Sequence, residues 1–503
     1  MTDAAATVPD EYDEHATSGA PDPRRWFALV VIAIAQLMVV LDASIVNIAL
    51  PHAAKALSIA PKDYQWVVTA YTITFGGFLL LGGRIADYVG RKKAFMVGLL
   101  GFAGASLLGG LSQNQQMLFS ARALQGLFGA LLAPAALSLI SVTFTESKER
   151  AKAFGVYGAL SGVGAAIGLI VGGLLTQYVN WRWCLFVNTP MALIAFTLAI
   201  PNVRESKVKG HQKYDVPGAI LVTLGMVLIV FGVSQAATPG KSWGSFSAWP
   251  FMLIGAVLIV FFFMLESMVS HPLLPLRLVT DRIRLGAYLT QLFVGLGLFG
   301  MFLFMTFYFQ NVLGWSAVKS GLAFLPFSLG IILSAGTATK LLPRLGPRPI
   351  ASLGLTVSAC GMLFLSMIKV DSNYLTHIMP AMLLMSLGLG MSFVCLASTA
   401  LFNVSNNDTG AASAVLTTSQ QVGGSFGTAI ANTIAVSATT AYIAANVAGR
   451  PTVDELHSAA VHGYDQAFRF GSVMLICAAG LFFFLVNIDR HHLGQHDQVP
   501  AAA

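Results

Sequence analysis

Fourteen apolar runs, each near the length needed to cross a bilayer, dominate the chain. They extend from Trp26–Leu50 to Phe468–Ile488 and are separated by short, charged connections. A spanning helix needs about 20 mostly apolar residues. Within the hydrocarbon only helices and closed barrels can satisfy their own backbone groups. Runs this long, without period-2 alternation, therefore predict an all-α polytopic membrane protein. Composition agrees, since 56% of the 503 residues are hydrophobic and only 10% are charged. A soluble fold carries about 25% charged residues.

The connections set the topology. With the N-terminus placed inside, the inner side collects Arg24, Arg25, Arg84, Arg91, Lys92, Lys93, Lys148, Arg150 and most of the other Lys and Arg. The outer side holds Lys55, Lys62, Arg182, Lys241, Lys319, Lys369, Arg450 and Arg469. This asymmetry follows the positive-inside rule, and an even number of spans puts both termini in the cytoplasm. The net charge of +7 is spread over these loops. No basic stripe interleaves with aromatics, so no nucleic-acid partner is expected. Cys184, Cys360, Cys395 and Cys477 lie in or beside apolar runs without C-x-x-C spacing, and are expected to be buried free thiols. The long outer connection 437–467 contains Thr452 and Glu455 at capping-box spacing, which predicts a short surface helix.

An internal repeat organises the spans. GGRIADYVGRKKAF follows the second span and TATKLLPRLGPRPI follows the tenth. Gly90-Arg91 aligns with Gly346-Pro347-Arg348, and Pro343 stands where Asp87 would be. Parallel six-helix repeats with a site near the midplane are a transporter architecture. The expected division is a tail over 1–25, a six-helix bundle over 26–200, and two inserted spans with linkers over 201–284. A second bundle over 285–488 and a tail over 489–503 complete it.

The chemistry starts at AQLMVVLDASIVNIALP, where one carboxylate, Asp42, sits deep in the first span. An ionised Asp there costs roughly 2.5–3.5 kcal/mol on insertion scales, and ionisable residues within spans are functional by default. Arg122, in the fourth span, is the natural partner. At about 1.5 Å rise per residue, the two lie about 5 Å apart in depth, which an Arg side chain bridges. Arg122 stays protonated and can hold Asp42 ionised until substrate, water or an outward opening weakens the pair. Protonation of Asp42 would then shift the balance between two conformations. Other amides and phenols within spans are candidate cavity residues: Gln36, Asn47, Tyr71, Gln125, Tyr157, Gln291, Gln310, Gln420, Gln421 and Asn432. Lipid-facing amides would go unsatisfied, so these are expected to face the interior, lining a cavity or joining helices. Glu266 falls near the inner end of the eighth span, where water and headgroups would reach it; it is a structural anchor or a secondary acid.

These motifs, in order, resemble the major facilitator superfamily and its fourteen-helix drug:proton antiporter branch. Gly83-x-x-x-Asp87-x-x-Gly90-Arg91-Lys92-Lys93 resembles the family's signature inner loop, and LDASIVNIALP the branch's first-helix motif. RALQGLFGALLAPA is similar to the fourth-helix motif, and GLIVGGLL followed by NWRWCLFVNTP to the fifth helix and the entry to the sixth. Glu266 with HPLLPLRL, and TSQQVGGSFGTAIANT, resemble the end of the inserted pair and the thirteenth helix. The resemblance implies two six-helix bundles plus two inserted helices. It also implies a gating role for Asp87 and Arg91, and close helix packing through Gly164, Gly168, Gly172 and Gly173. The family's proline after Gly168 is replaced by Leu169, so a proline kink is not expected there.

The function implied is proton-coupled efflux of hydrophobic or amphipathic drugs across a bacterial cytoplasmic membrane by alternating access. The chain would be a monomer whose partners are substrate, protons and lipids. No P-loop and no H-E-x-x-H motif occurs. Neither a cofactor, a metal nor an enzymatic activity is expected, and His491, His492 and His496 are read as part of an ordinary tail. One charge crossing 100 mV is worth about 2.3 kcal/mol. At 1.4 kcal/mol per decade, one proton would sustain roughly a 40-fold gradient of a neutral solute. The alternatives are a dedicated exporter of one metabolite, antibiotic or lipid, and a non-transporting membrane sensor or scaffold.

Overall fold

A computed structural model describes residues 23–206, 215–236, 244–269, 272–274, 276–404, 409–447 and 449–487. Most of the two expected tails, including His491, His492 and His496, and parts of the linkers around the inserted pair lie outside these residues.

Fourteen helices are long and apolar enough to span a membrane. They are α1 (Arg25–Ala56), α2 (Trp66–Val89), α3 (Arg91–Gly110), α4 (Gln115–Thr143), α5 (Ser147–Tyr178) and α6 (Trp183–Asn202). The inserted pair is α7 (Val216–Ala236) and α8 (Trp249–Met268). The second set is α9 (Arg282–Val312), α10 (Ala317–Leu345), α11 (Pro347–Leu365), α12 (Tyr374–Ala400), α13 (Thr409–Asn446) and α14 (Val453–Leu485). Each six-helix set packs on itself: α1 on α5, α2 and α3 on α4 in the first; α9 on α13 and α14, α11 on α12 in the second.

Small residues permit these close approaches. Gly164, Gly168 and Gly172 lay α5 against Leu37, Val40, Ser44 and Ile45 of α1, and Gly173 meets the backbone of Ala317 and Val318 at the start of α10. Leu169 is buried, and its carbonyl lies against Gly321. The repeated loops are repeated turns. Gly90 (φ 121°) separates α2 from α3 and Gly346 (φ 76°) separates α10 from α11, in a region that favours glycine.

α7 packs on α8 and also on both α2 and α13. It therefore lies along the seam where the two bundles meet. Met226, Val230 and Val233 join Ile73 of α2 and Ala429 of α13 in one apolar cluster, and the Thr433 hydroxyl donates to the Val233 carbonyl at 3.1 Å.

Two expectations need correction. Thr452 and Glu455 do form a capping box, but it opens α14 itself rather than a separate surface helix. α13 and α14 simply continue past the apolar runs, to Asn446 and from Val453. Of the four free thiols, Cys184 and Cys395 are buried while Cys360 and Cys477 are exposed on the protein surface. In a membrane-spanning chain such surface is solvated by lipid, so apolar residues there need no cover.

Candidate functional site

Asp42 is fully buried on α1, and its carboxylate accepts from three donors on two other helices. Arg122 of α4, only 2% exposed, donates from Nη1 to Oδ2 at 2.6 Å. Gln125, one helical turn further along α4, donates from Nε2 to Oδ1 at 2.8 Å. Asn188 at the start of α6 donates from Nδ2 to the same oxygen at 2.8 Å.

Each donor is itself oriented. Arg122 Nη1 also donates to Gln125 Oε1 at 2.9 Å, which fixes that amide with its NH2 toward Asp42. Arg122 Nε donates to the Val67 carbonyl at 3.0 Å, and the guanidinium carbon lies 4.6 Å from the centre of the Tyr71 ring. The Ser106 hydroxyl accepts from Gln125 and Asn188 at 3.0 and 3.1 Å and donates to the Leu185 carbonyl at 2.8 Å. A buried charge costs several kcal/mol unless paired and hydrogen-bonded; here one carboxylate meets one guanidinium and two amides. Asn188 and Ser106 escaped the sequence-based set. Asn188 did leave a signal, since it is an amide inside an apolar run.

Near this site the two bundles are fastened together. Gln310, on a widened last turn of α9, donates to the Ile48 carbonyl of α1 at 3.0 Å. Asn432 of α13 donates to Gln65 Oε1 at 2.6 Å and to the Pro61 and Lys62 carbonyls at 3.0 and 3.2 Å. The rings of Tyr64 and Phe307 stack at 4.5 Å, and Val318 N–H donates to Gln177 Oε1 at 3.2 Å. A small apolar cavity lined by Val46, Leu50, Leu118, Trp181 and Cys184 reaches Arg122 from this side.

At the other end several polar groups bond within their own bundle. Arg25 grips Glu149 through two hydrogen bonds, at 2.8 and 2.9 Å; Arg282 and Arg348 donate to the Phe484 and Phe483 carbonyls. α5 meets α10 around Leu169–Gly173, yet Phe154, Val156 and Val163 on its other half are exposed. The polar contacts between the bundles described above thus gather at the Ala56 end of α1, and the opposite half of α5 carries exposed apolar side chains.

The remaining sequence-predicted residues scatter. Gln310 and Asn432 belong to the fastened end. Gln421 packs against Gly76, and the carbonyl of Gln420 packs against Gly295. Gln291 is buried with Oε1 unpartnered. Asn47 donates to the Ala43 carbonyl of its own helix at 3.0 Å. Tyr157 packs on the first bundle's core, and Gln36 is half-buried. Asp87 pairs with Arg91, which donates from Nε at 3.0 Å, and Gly83 lies against Pro134. Glu205 caps α3 through the Lys92 and Lys93 amides at 3.0 and 3.1 Å. Glu266 was expected to be open to water and headgroups; instead it is 2% exposed, and its Oε2 accepts from the Leu274 amide at 3.1 Å. The segment after α8 folds back over it.

Two six-helix bundles, an inserted helix pair along their seam and a buried charge pair beside the contacts that join them fit a multi-pass membrane carrier. Residues 32–428 match the family model of the Major Facilitator Superfamily, and the chain belongs to that family. It is 46% identical to the puromycin resistance protein pur8 of Streptomyces alboniger, covering 94% of each chain. It is 35% identical to the cephamycin export protein CmcT of Amycolatopsis lactamdurans, over 82% of this chain and 85% of that one. Among solved structures, a bacterial homologue of the human lysosomal transporter Spinster, inward-facing and unoccupied, superposes with a TM-score of 0.63. That likeness is at 17% identity, over 96% of this chain and 100% of the other. A D-xylose–proton symporter gives 0.63 at 12% identity, over 92% and 98%. At these identities the structures speak for the fold alone.

Proposed function

We propose that this carrier exports hydrophobic or amphipathic antibiotics or drugs from a bacterial cytoplasm, each turnover driven by protons entering through Asp42. The observation that carries the reading is the buried Asp42–Arg122 pair, with Gln125 and Asn188 completing its donor shell. The excess of Lys and Arg in the loops of one side supports a topology with both termini inside. The fastened end then faces outward, and the opposite end opens to the cytoplasm.

In this cytoplasm-open state Arg122 neutralises Asp42 and the cleft is free to load. Parting of the Gln310–Ile48 and Asn432–Gln65 contacts would open the outer end and loosen the shell around Asp42. A proton arriving there neutralises the carboxylate, releases Arg122 and favours return once the cargo has left. Only interactions that differ between the two states can shift their balance, and a guanidinium bound to a carboxylate in one state and freed in the other is such a difference. The protein needs no cofactor; we read it as a carrier acting as a monomer, not an enzyme.

The test is drug efflux from proteoliposomes under an imposed pH gradient. Asp42→Asn should insert normally and lose proton-driven efflux; retained gradient-driven efflux by that variant refutes the reading. A dedicated exporter of one antibiotic is the second reading, favoured because relatives are named for puromycin resistance and cephamycin export. Puromycin beside a panel of neutral and cationic amphiphiles separates the two.

A further inference from the structure

Outside the Asp42 site, the base of the inserted helix pair holds two more buried acids. Asp215 immediately precedes α7 and is 6% exposed; Glu266 in the last turns of α8 is 2% exposed. Each has one oxygen committed to a backbone amide. Gly218 N–H donates to Asp215 Oδ1 at 2.9 Å, and Leu274 N–H donates to Glu266 Oε2 at 3.1 Å. The other two oxygens, Asp215 Oδ2 and Glu266 Oε1, are buried without a donor, and the two carboxyls are near enough to interact electrostatically.

Two carboxylates cannot hydrogen-bond, since ionised carboxyl groups only accept. Two like charges brought together out of water cannot both stay ionised. One proton placed between the two groups removes both difficulties at once, leaving a single negative charge held by two backbone amides.

We propose that Asp215 and Glu266 form a second proton-binding site, a carboxyl–carboxylate pair sharing one proton, which clasps the base of the inserted helices. The clasp has three walls. α7 contributes Gly218 and Ala219; the returning segment contributes Leu273 and Leu274; and α2 contributes Leu81, flanked by Phe78, Leu80 and Ile85. Ala219, Leu273 and Leu81 form one buried cluster, so the pair sits where the inserted helices meet the first bundle and the chain turns toward the second.

Among the described residues, Asp215 is the charged group that faces Glu266. The ionisable residues on the surrounding elements are Tyr71, Arg84, Asp87 and Tyr88 on α2 and Arg277 beyond the returning segment. Lys213, Tyr214 and His271 adjoin in sequence and lie outside the described residues. Loss of the shared proton leaves two buried negative charges, which part the returning segment from α7. The sign follows from linkage. A proton held by the folded pair and not by the unfolded chain makes stability fall as pH rises through the range in which the pair releases it.

Infrared difference spectra of the purified full-length protein, taken from about pH 6 to pH 9, test the site, because ordinary exposed carboxyls are already ionised there. The expected result is a protonated-carboxyl band that disappears with rising pH in Asp42→Asn as in the wild type, and that is missing from both Glu266→Gln and Asp215→Asn. Melting temperature should fall with pH in the Asp42→Asn protein and stay level in the two pair variants. Using the Asp42→Asn background separates the pair from the transport site: lost efflux with a retained band leaves this second site standing. An Asp42→Asn protein without a titrating carboxyl band, or a band that survives both pair substitutions, overturns the proposal.

Discussion

Replacing Arg122 by Leu offers a quantitative test of the charge balance at the centre of the first bundle. The substitution removes the 2.6 Å bond to Asp42, the 3.0 Å bond to the Val67 carbonyl and the stacking on Tyr71. Breaking a buried pair by deleting one partner costs about 3–5 kcal/mol, because the other charge stays buried and uncompensated. The Val67 bond adds about 1 kcal/mol and the ring contact up to about 2 kcal/mol. A second change, Asp42→Asn, removes the stranded charge. The double variant should therefore recover most of the pair's cost while remaining about 1–3 kcal/mol below wild type, the share owed to Val67 and Tyr71. The assay is a double-mutant cycle on thermal unfolding in detergent at fixed pH. The single Arg122→Leu protein should also gain stability as pH is lowered, since a proton on Asp42 then does the work of the missing guanidinium. A double variant no more stable than Arg122→Leu alone would refute the argument, because the penalty would then come from packing rather than charge.

Further outcomes are expected elsewhere. Asn188→Leu leaves Asp42 Oδ1 with Gln125 alone; it should shift the pH profile of efflux while expression holds, and an unchanged profile counts against a positioning role. Asn432→Ala removes three bonds across the fastened end and should raise labelling of a cysteine introduced at Ile73 from outside, measured in whole cells. Glu205→Ala uncaps α3 and should cost about 1–2 kcal/mol by thermal unfolding. Gly126→Ala would push a methyl to within about 2.1–2.2 Å of Thr74 and the Tyr71 carbonyl. Its cost should be about 1–3 kcal/mol, read as lower yield of folded protein.

What could be read in advance follows from the range of the forces involved. Span length and loop charge are local, so all fourteen crossings and their order were evident from the chain alone. Asp42 and Arg122 were evident because an unpaired charge in lipid is too costly to leave unanswered. Asn188 and Ser106 were missed because amides and hydroxyls are tolerated in spans for many reasons, and only the folded arrangement aims Asn188 at Asp42 and sets Ser106 behind the two amides that hold it. Glu266 was misplaced because its cover is a segment that returns after the helix ends, a contact that no periodicity announces. Gln310 and Asn432 were recognised as interior, yet spacing alone could not tell a fastening between bundles from the wall of a cavity.

The position of α7 has a consequence for how an oily molecule gets in. Because it bridges α2 and α13, it stops up the crevice on that flank like a caulked joint, whereas on the other flank close contacts of α5 with α10 cluster around Leu169–Gly173. On the proposed orientation, solutes dissolved in the inner leaflet would meet the exposed Phe154, Val156 and Val163 of α5 there. Bulky side chains placed at those positions would bar membrane-borne solutes while leaving entry from the aqueous side untouched.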